Sequence, residues 1–178
     1  MPPLFMYNLG KRLTGTYLFK FLLTGGKAMG TNYQKIMVAV DWSKEAELAF
    51  RKALGIADRN QASLLLVHVI DTRTFAIVEA YDQAIADRAD QYALDLLEKY
   101  RQQALDSGLS DVSFLVEFGS PKLMIPKEIA RKHNIDLIIC GATGLNAVER
   151  FLIGSVSEHI SRHAPCDVLV VRSEKEFT

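Results

Sequence analysis

The residue types with an obvious chemical use are gathered between Leu137 and Ser157, in the stretch LIICGATGLNAVERFLIGSVS. Gly141 and Gly144 open it, Gly154 and Ser155 close it after a nine-residue spacer, and Thr143 and Ser157 add hydroxyls. Glycine has no Cβ, so backbone N–H groups at these positions can turn inward and approach a ligand closely. From Ser155 to His163 the residues Val156, Ile160 and His163 recur at four and three. That spacing predicts a helix with Ser155 as its cap, where unpaired N–H groups and the positive end of the helix dipole gather. Leu137, Ile138, Ile139 and Cys140 form an apolar run that predicts a buried strand stopped by Gly141. A strand, a glycine-bracketed loop and a helix N-terminus make an anion cradle, the environment a phosphate prefers. Arg150, inside the loop, either reaches a terminal phosphate or is a solvated loop arginine.

A second candidate lies at Asp41, directly after the apolar run Lys35 to Val40. Its carboxylate either orients a ribose hydroxyl or a ligand-bound cation, or helps Ser43 cap the following helix. Backbone amides and a helix terminus can hold a triphosphate together with Mg²⁺. Hydrolysis would need a residue that positions water, and none is recognisable beside the cradle, so the chain reads as a binder without a committed catalytic apparatus. The four histidines, His68, His133, His159 and His163, do not make a metal site by pattern: His159 and His163 are one turn apart, but no HExxH frame or acidic partner accompanies them. There is no GxSxG elbow, no GxxxxGK[ST] loop and no GxGxxG after the first strand. A receiver domain would need a carboxylate pair after the first strand, and here Asp41 is followed by Trp42.

The spacing Gly141-x2-Gly144-x9-Gly154-Ser155 resembles the nucleotide-binding signature of the universal stress protein family, in its ATP-binding branch. The resemblance runs from about Tyr33 to Arg172. It implies that Ala39, Val40 and Asp41 line the adenosine end of an ATP site and that the backbone of Val69 meets the adenine edge, although a valine on a buried strand is equally well explained as core. It further implies that Cys140, Gly141, Thr143, Gly144, Gly154, Ser155, Val156 and Ser157 contact the ribose and phosphates. Trp42 departs from the small residue the family carries at this turn.

These residues need elements to position them. Apolar runs predict strands at Lys35–Val40, Ser63–Ile70, Val112–Phe118, Leu137–Cys140 and Val168–Val171. Between them, Ala46, Ala49, Phe50, Ala53, Leu54 and Ala57 recur with helical period after Ser43. Ala89, Ala93, Leu96, Leu97, Tyr100 and Ala104 do so before Ser107-Gly108. A third helix, Leu123 to His133, has Ser120 as cap and Pro121 in its first turn, with a distortion expected early because Pro126 lacks an N–H. Strands alternating with helices specify an α/β fold, a doubly wound five-stranded parallel sheet with helices on both faces. Right-handed crossovers leave the orders 3-2-1-4-5 and 2-1-3-4-5 open. The family resemblance favours the first, an adenine nucleotide alpha hydrolase-like arrangement. In that order the chain reverses between strands 1 and 4, so Asp41 and Gly141 meet at the switch point where such sheets bind ligands.

A length of 178 residues with 49% apolar and 24% charged residues is ordinary for one soluble domain. The formal net charge of zero divides unevenly, since residues 1–29 carry Lys11, Arg12, Lys20 and Lys27 without an acid, leaving 17 cations against 21 carboxylates in the remainder. A mildly acidic body with no basic stripe argues against a nucleic-acid partner. The domain is expected at residues 31–178, preceded by a leader at 1–30, poorly ordered or upstream of the functional start at Met29. Tyr17 to Leu23 is far shorter than the roughly 20 residues a spanning helix needs, so no membrane partner is expected. Cys140 and Cys166, placed at opposite ends of neighbouring strands, read as buried thiols in a reducing, cytoplasmic compartment. The last strand would be an apolar sheet edge, and the resemblance implies a homodimer formed through it.

Overall fold

The computed structural model describes residues 32–73, 83–144 and 153–173, with backbone alone for 83–89. The leader and Arg150 lie outside these residues. Five strands form one parallel sheet in the order β3-β2-β1-β4-β5. They are β1 (Lys35–Ala39), β2 (Ser63–Asp71), β3 (Val112–Gly119), β4 (Leu137–Gly141) and β5 (Asp167–Val171). This decides between the two orders that crossover handedness left open.

Alternation along the strands sorts the core into two layers. Ile36, Val38, Leu64, Leu66, Leu137 and Ile139 point to one face, where they meet Ala49, Phe50, Ala53 and Ala57 of α1 (Lys44–Asn60) and Leu97, Tyr100 and Ala104 of α2 (Gln83–Asp106). Met37, Leu65, Val67, Ile138 and Cys140 point to the other, against Ile125, Ile129 and Ile160. Because β1, β2 and β4 bury both faces, their sequences are apolar almost without interruption.

Ser43 caps α1 as expected: its Oγ accepts from the Ala46 N–H at 3.1 Å. The third helix, α3, is Pro121–Leu123, Met124–Ile129 and Ala130–Lys132 in succession, and its middle segment, Met124–Ile129, is π-helical. The distortion expected from Pro126 is therefore present but spans six residues rather than the first turn. Without an N–H at Pro126, and with its ring against the carbonyl one turn back, the chain widens until Ala130 N–H reaches Ile125 O. Ser120 occupies the cap position of this helix but makes no side-chain cap bond.

The last helix, α4 (Ser155–His163), corrects one expectation outright. Its N-cap is Gly154, with φ −61° and ψ 150°, and Ser155 is the first helical residue. Glycine contributes no side chain to a cap, so the start of α4 carries no side-chain acceptor.

Candidate functional site

At the carboxyl ends of β1 and β4 the structure brings together most of the residues singled out by type. The bracketing glycines meet: Gly154 N–H donates to Ala142 O at 2.7 Å, and a Cβ on Gly154 would stand 3.2 Å from that oxygen and 3.4 Å from Thr143 Cα. Residues 141–144 and 153–157 thus form one wall, and Ala142 N–H, donating to Val171 O at 2.6 Å, ties it to β5.

Each glycine has its own reason. A Cβ on Gly141 would lie 2.8 Å from Glu45 Cβ and 2.9 Å from the Glu45 carbonyl carbon, so the first turn of α1 rests directly on this residue. Its lack of a side chain is demanded by packing before any ligand enters. Gly144 is exposed and faces Asp41, whose Oδ2 is 3.0 Å from where a Cβ would be. None of the three has a positive φ; among the described glycines that conformation belongs to Gly108 and Gly119.

The half-buried Asp41 divides its two oxygens. Oδ1 accepts the Ser43 N–H at 2.8 Å, closing the turn into α1, while Oδ2 faces Gly144. The capping and ligand-orienting readings are compatible, one on each oxygen.

The strand ends have their carbonyls covered. Val40 N–H makes the last β1–β2 bond, to Val67 O at 2.9 Å, and the next carbonyl, Val40 O, is met by His68 Nδ1 at 2.8 Å. His68 is buried, and as donor to a carbonyl its Nδ1 carries the proton. On β4, the buried Ser157 hydroxyl donates to Gly141 O at 2.6 Å. The two acceptors nearest the switch point are thus occupied by side chains, whereas the N–H groups at the start of α4 have no capping side chain. The rim presents donors and the positive end of a helix, which suits an anion. Glu158, the acid in that first turn, is drawn off by Arg162 at 2.8 Å.

Ser155 and Val156 stand at this helix start, Ser155 exposed and Val156 half-buried. Ser157 does not offer a free hydroxyl, being committed to Gly141 O. Thr143 is half-buried on the loop, and Ala39 ends β1, with Val40 leading from it to Asp41. Cys140 is buried in the second core layer, and burial pushes its thiol up to about 11. Val69 packs its side chain into that same layer, so its core reading holds for the side chain. Its backbone is another matter. The alternation that turns Val67 toward β1 turns Val69 the same way, beyond the last ladder bond and into the gap above Val40.

At the end of β2, Asp71 is held by Arg73 at 2.7 Å, and this hydrogen bond keeps its carboxyl below the usual range. Further along α4, the His159 and His163 rings stack 3.9 Å apart. Burial, then the neighbouring His163, Lys127, Lys122 and Arg162, lower the His159 pKa, an environment poor for a metal cation. Among the described residues no group of three His, Cys, Asp or Glu converges on a point. The two cysteines are free, Cys140 lying opposite Val170, well along the ladder from Cys166.

Sequence reasoning missed two features. His68 stops the β1–β2 ladder, and Trp42 meets it edge-on, ring centroids 4.9 Å apart at 77°. These contacts join residues 28 positions apart in one case and 26 in the other, and no local pattern announces them; the only hint was a histidine within an apolar strand.

The model of the universal stress protein family matches residues 32–172. A protein of Staphylococcus aureus (strain USA300) that carries the name universal stress protein is 53% identical over 143 residues, covering 80% of this chain and 86% of its own length. Among solved structures, the universal stress protein UspA from Lactobacillus plantarum superposes with a TM-score of 0.70 at 34% identity, covering 79% of this chain and 98% of its own. A universal stress protein solved in complex with cAMP superposes with a TM-score of 0.61 at 25% identity, covering 80% of this chain and 98% of its own.

Proposed function

Because the chain belongs to the universal stress protein family, we propose that it is an adenine-nucleotide-binding regulator of a stress response, taking ATP with Mg²⁺ at the carboxyl ends of β1 and β4. The observation that carries this reading is the donor-rich rim: covered carbonyls at Val40 and Gly141 beside an uncapped helix start at Gly154–Ser155. The phosphates would lie against the N–H groups of Ser155 and Val156 and the backbone of Thr143 and Gly144. Asp41 Oδ2, which faces Gly144, would take a ribose hydroxyl or the cation that accompanies the phosphates, and the adenine edge would meet the backbone of Val69. The relative solved with cAMP supports an adenine nucleotide in general rather than ATP in particular.

Isothermal titration of the purified chain with ATP, ADP, AMP and cAMP tests the reading. Saturable heat with at least one of them is expected, and none up to millimolar concentration would sink it.

The partner we propose is a second copy. β5 has β4 as its ladder neighbour and is an edge of the sheet. From Asp167 to Val171 it has no proline, and Leu169 and Val170 are half-buried beside a concavity of about 500 Å³ that reaches Gly55 and Ile56 on α1 and is rimmed by Arg51, Lys52, Arg59 and Arg172. An apolar edge of this kind is a template for pairing. Light scattering giving a monomer at tens of micromolar would count against it. Two free, buried or half-buried thiols support a reducing cytoplasmic compartment, and residues 31–178 are read as the domain behind a leader at 1–30.

The alternative is a protein-interaction module of the same fold that does not bind ATP. Gly144→Arg separates the two, because it fills the face of Asp41 and should abolish nucleotide binding while leaving an interaction surface elsewhere untouched.

A further inference from the structure

We propose that Trp42 is a specificity-determining residue of this site, a stacking wall that discriminates the nucleobase; the inference rests on the adenine-nucleotide reading above. Trp42 is the one tryptophan of the chain, between the Asp41 carboxylate and the Ser43 cap. It is 49% exposed, unusual for a large aromatic on a turn between two well-packed elements.

Its exposure is not accompanied by freedom. The indole meets the His68 ring at 77° with centroids 4.9 Å apart, and His68 is itself fixed by burial and by its Nδ1 bond to Val40 O. An edge-to-face contact uses at most one face of the indole, so a rigidly held π-surface remains at the end of β1. The same histidine that holds Trp42 also takes Val40 O at the end of the β1–β2 ladder, so the β1-facing side of the Val69 backbone, whose other side pairs with β3, lies beyond the last rung. A flat, half-apolar group entering that gap would therefore find backbone hydrogen-bonding groups on one side and an indole adjoining. A nucleobase has this chemistry, and a phosphate or a bare sugar does not.

The energetic logic also favours a binding role. Leaving an indole half in water forgoes burial that the adjoining core would reward, and an entering base restores that burial without first having to order the ring. Base–aromatic stacking of this kind is worth about tenfold or more in affinity.

Calorimetric titrations of the full chain with ATP, GTP and inorganic tripolyphosphate, on the wild type, Trp42→Ala and Trp42→Phe, test it. Circular dichroism shows that each variant is folded before titration. In Trp42→Ala the ratio of ATP to tripolyphosphate affinity should fall about tenfold, and the preference for ATP over GTP should change. Trp42→Phe should recover most of the loss. In the wild type the fluorescence of the single tryptophan should respond to ATP and not to tripolyphosphate. If ATP binds the wild type and folded Trp42→Ala equally, with no fluorescence response, the inference is overturned and the nucleotide reading stands. If ATP fails to bind the wild type, the nucleotide reading falls and this inference with it.

Discussion

Asp41 Oδ2 lies 3.0 Å from the point where a Cβ on Gly144 would stand, so the end of β1 and the loop after β4 face one another across the switch point without an intervening side chain. Filling that space should act on binding rather than on folding. Gly144 is exposed, and an exposed substitution usually changes stability by no more than about 0.5 kcal/mol. Gly144→Arg is expected to leave the unfolding midpoint nearly unchanged and to weaken nucleotide binding at least tenfold, about 1.4 kcal/mol. Calorimetry beside a denaturant titration checks both halves.

Gly141→Ala should behave in the opposite way. Its Cβ would fall 2.8 Å from Glu45 Cβ and 3.0 Å from the Ala46 nitrogen, where the first turn of α1 has no room to retreat. Overpacking of this order costs about 1–3 kcal/mol. Chemical denaturation should show that loss with or without nucleotide.

Ser157→Ala tests which role the hydroxyl plays. It leaves the buried Gly141 carbonyl without its partner, a cost of about 1–3 kcal/mol, while nucleotide affinity changes little. A large affinity loss with unchanged stability would instead put the hydroxyl on the ligand.

The cysteines predict a pH dependence. Burial raises the Cys140 thiol from 9.0 to about 11. A group whose folded pKa lies above its unfolded value contributes stability that is complete below the unfolded pKa and is lost as pH rises toward the folded one. Stability should therefore decline between about pH 9 and pH 11, by about 2–3 kcal/mol for Cys140. Cys166, raised to about 11 by burial and by Asp136 and Asp167, adds a smaller contribution because it is only half-buried. Guanidinium unfolding at pH 8, 10 and 11 measures the slope, which Cys140→Ala should flatten.

The strands were legible because β1, β2 and β4 bury both faces and must be apolar throughout, and each was placed to within one residue at its ends. Their order was not, since right-handed crossovers permit two arrangements and pairing depends on contacts between distant residues. The loop glycines were legible as a candidate site, but the reason for Gly141 was hidden: only the packed position of Glu45 shows that a side chain cannot fit there. Gly154 and Ser155 are both acceptable caps by type, so composition could not say that glycine takes the position and leaves the helix start open. The π turn at Met124–Ile129 was signalled by Pro126 in kind but not in extent. His68 gave no functional signal, because its partner Val40 O comes from another strand.

If an adenine nucleotide binds at the carboxyl ends of β1 and β4, hydrogen exchange with and without saturating ATP will report it at the cradle itself. Protection should rise at Asp41 to Ser43, at Gly141 to Gly144 and at Gly154 to Ser157. The centre of the sheet, Leu64 to Val67 and Ile138 to Ile139, should change only through the global stabilisation that any native-state ligand confers, about 2.7 kcal/mol at a hundredfold excess over Kd. Protection centred instead on β5, or on residues 1–29, with the cradle unchanged, would put the nucleotide elsewhere on the chain.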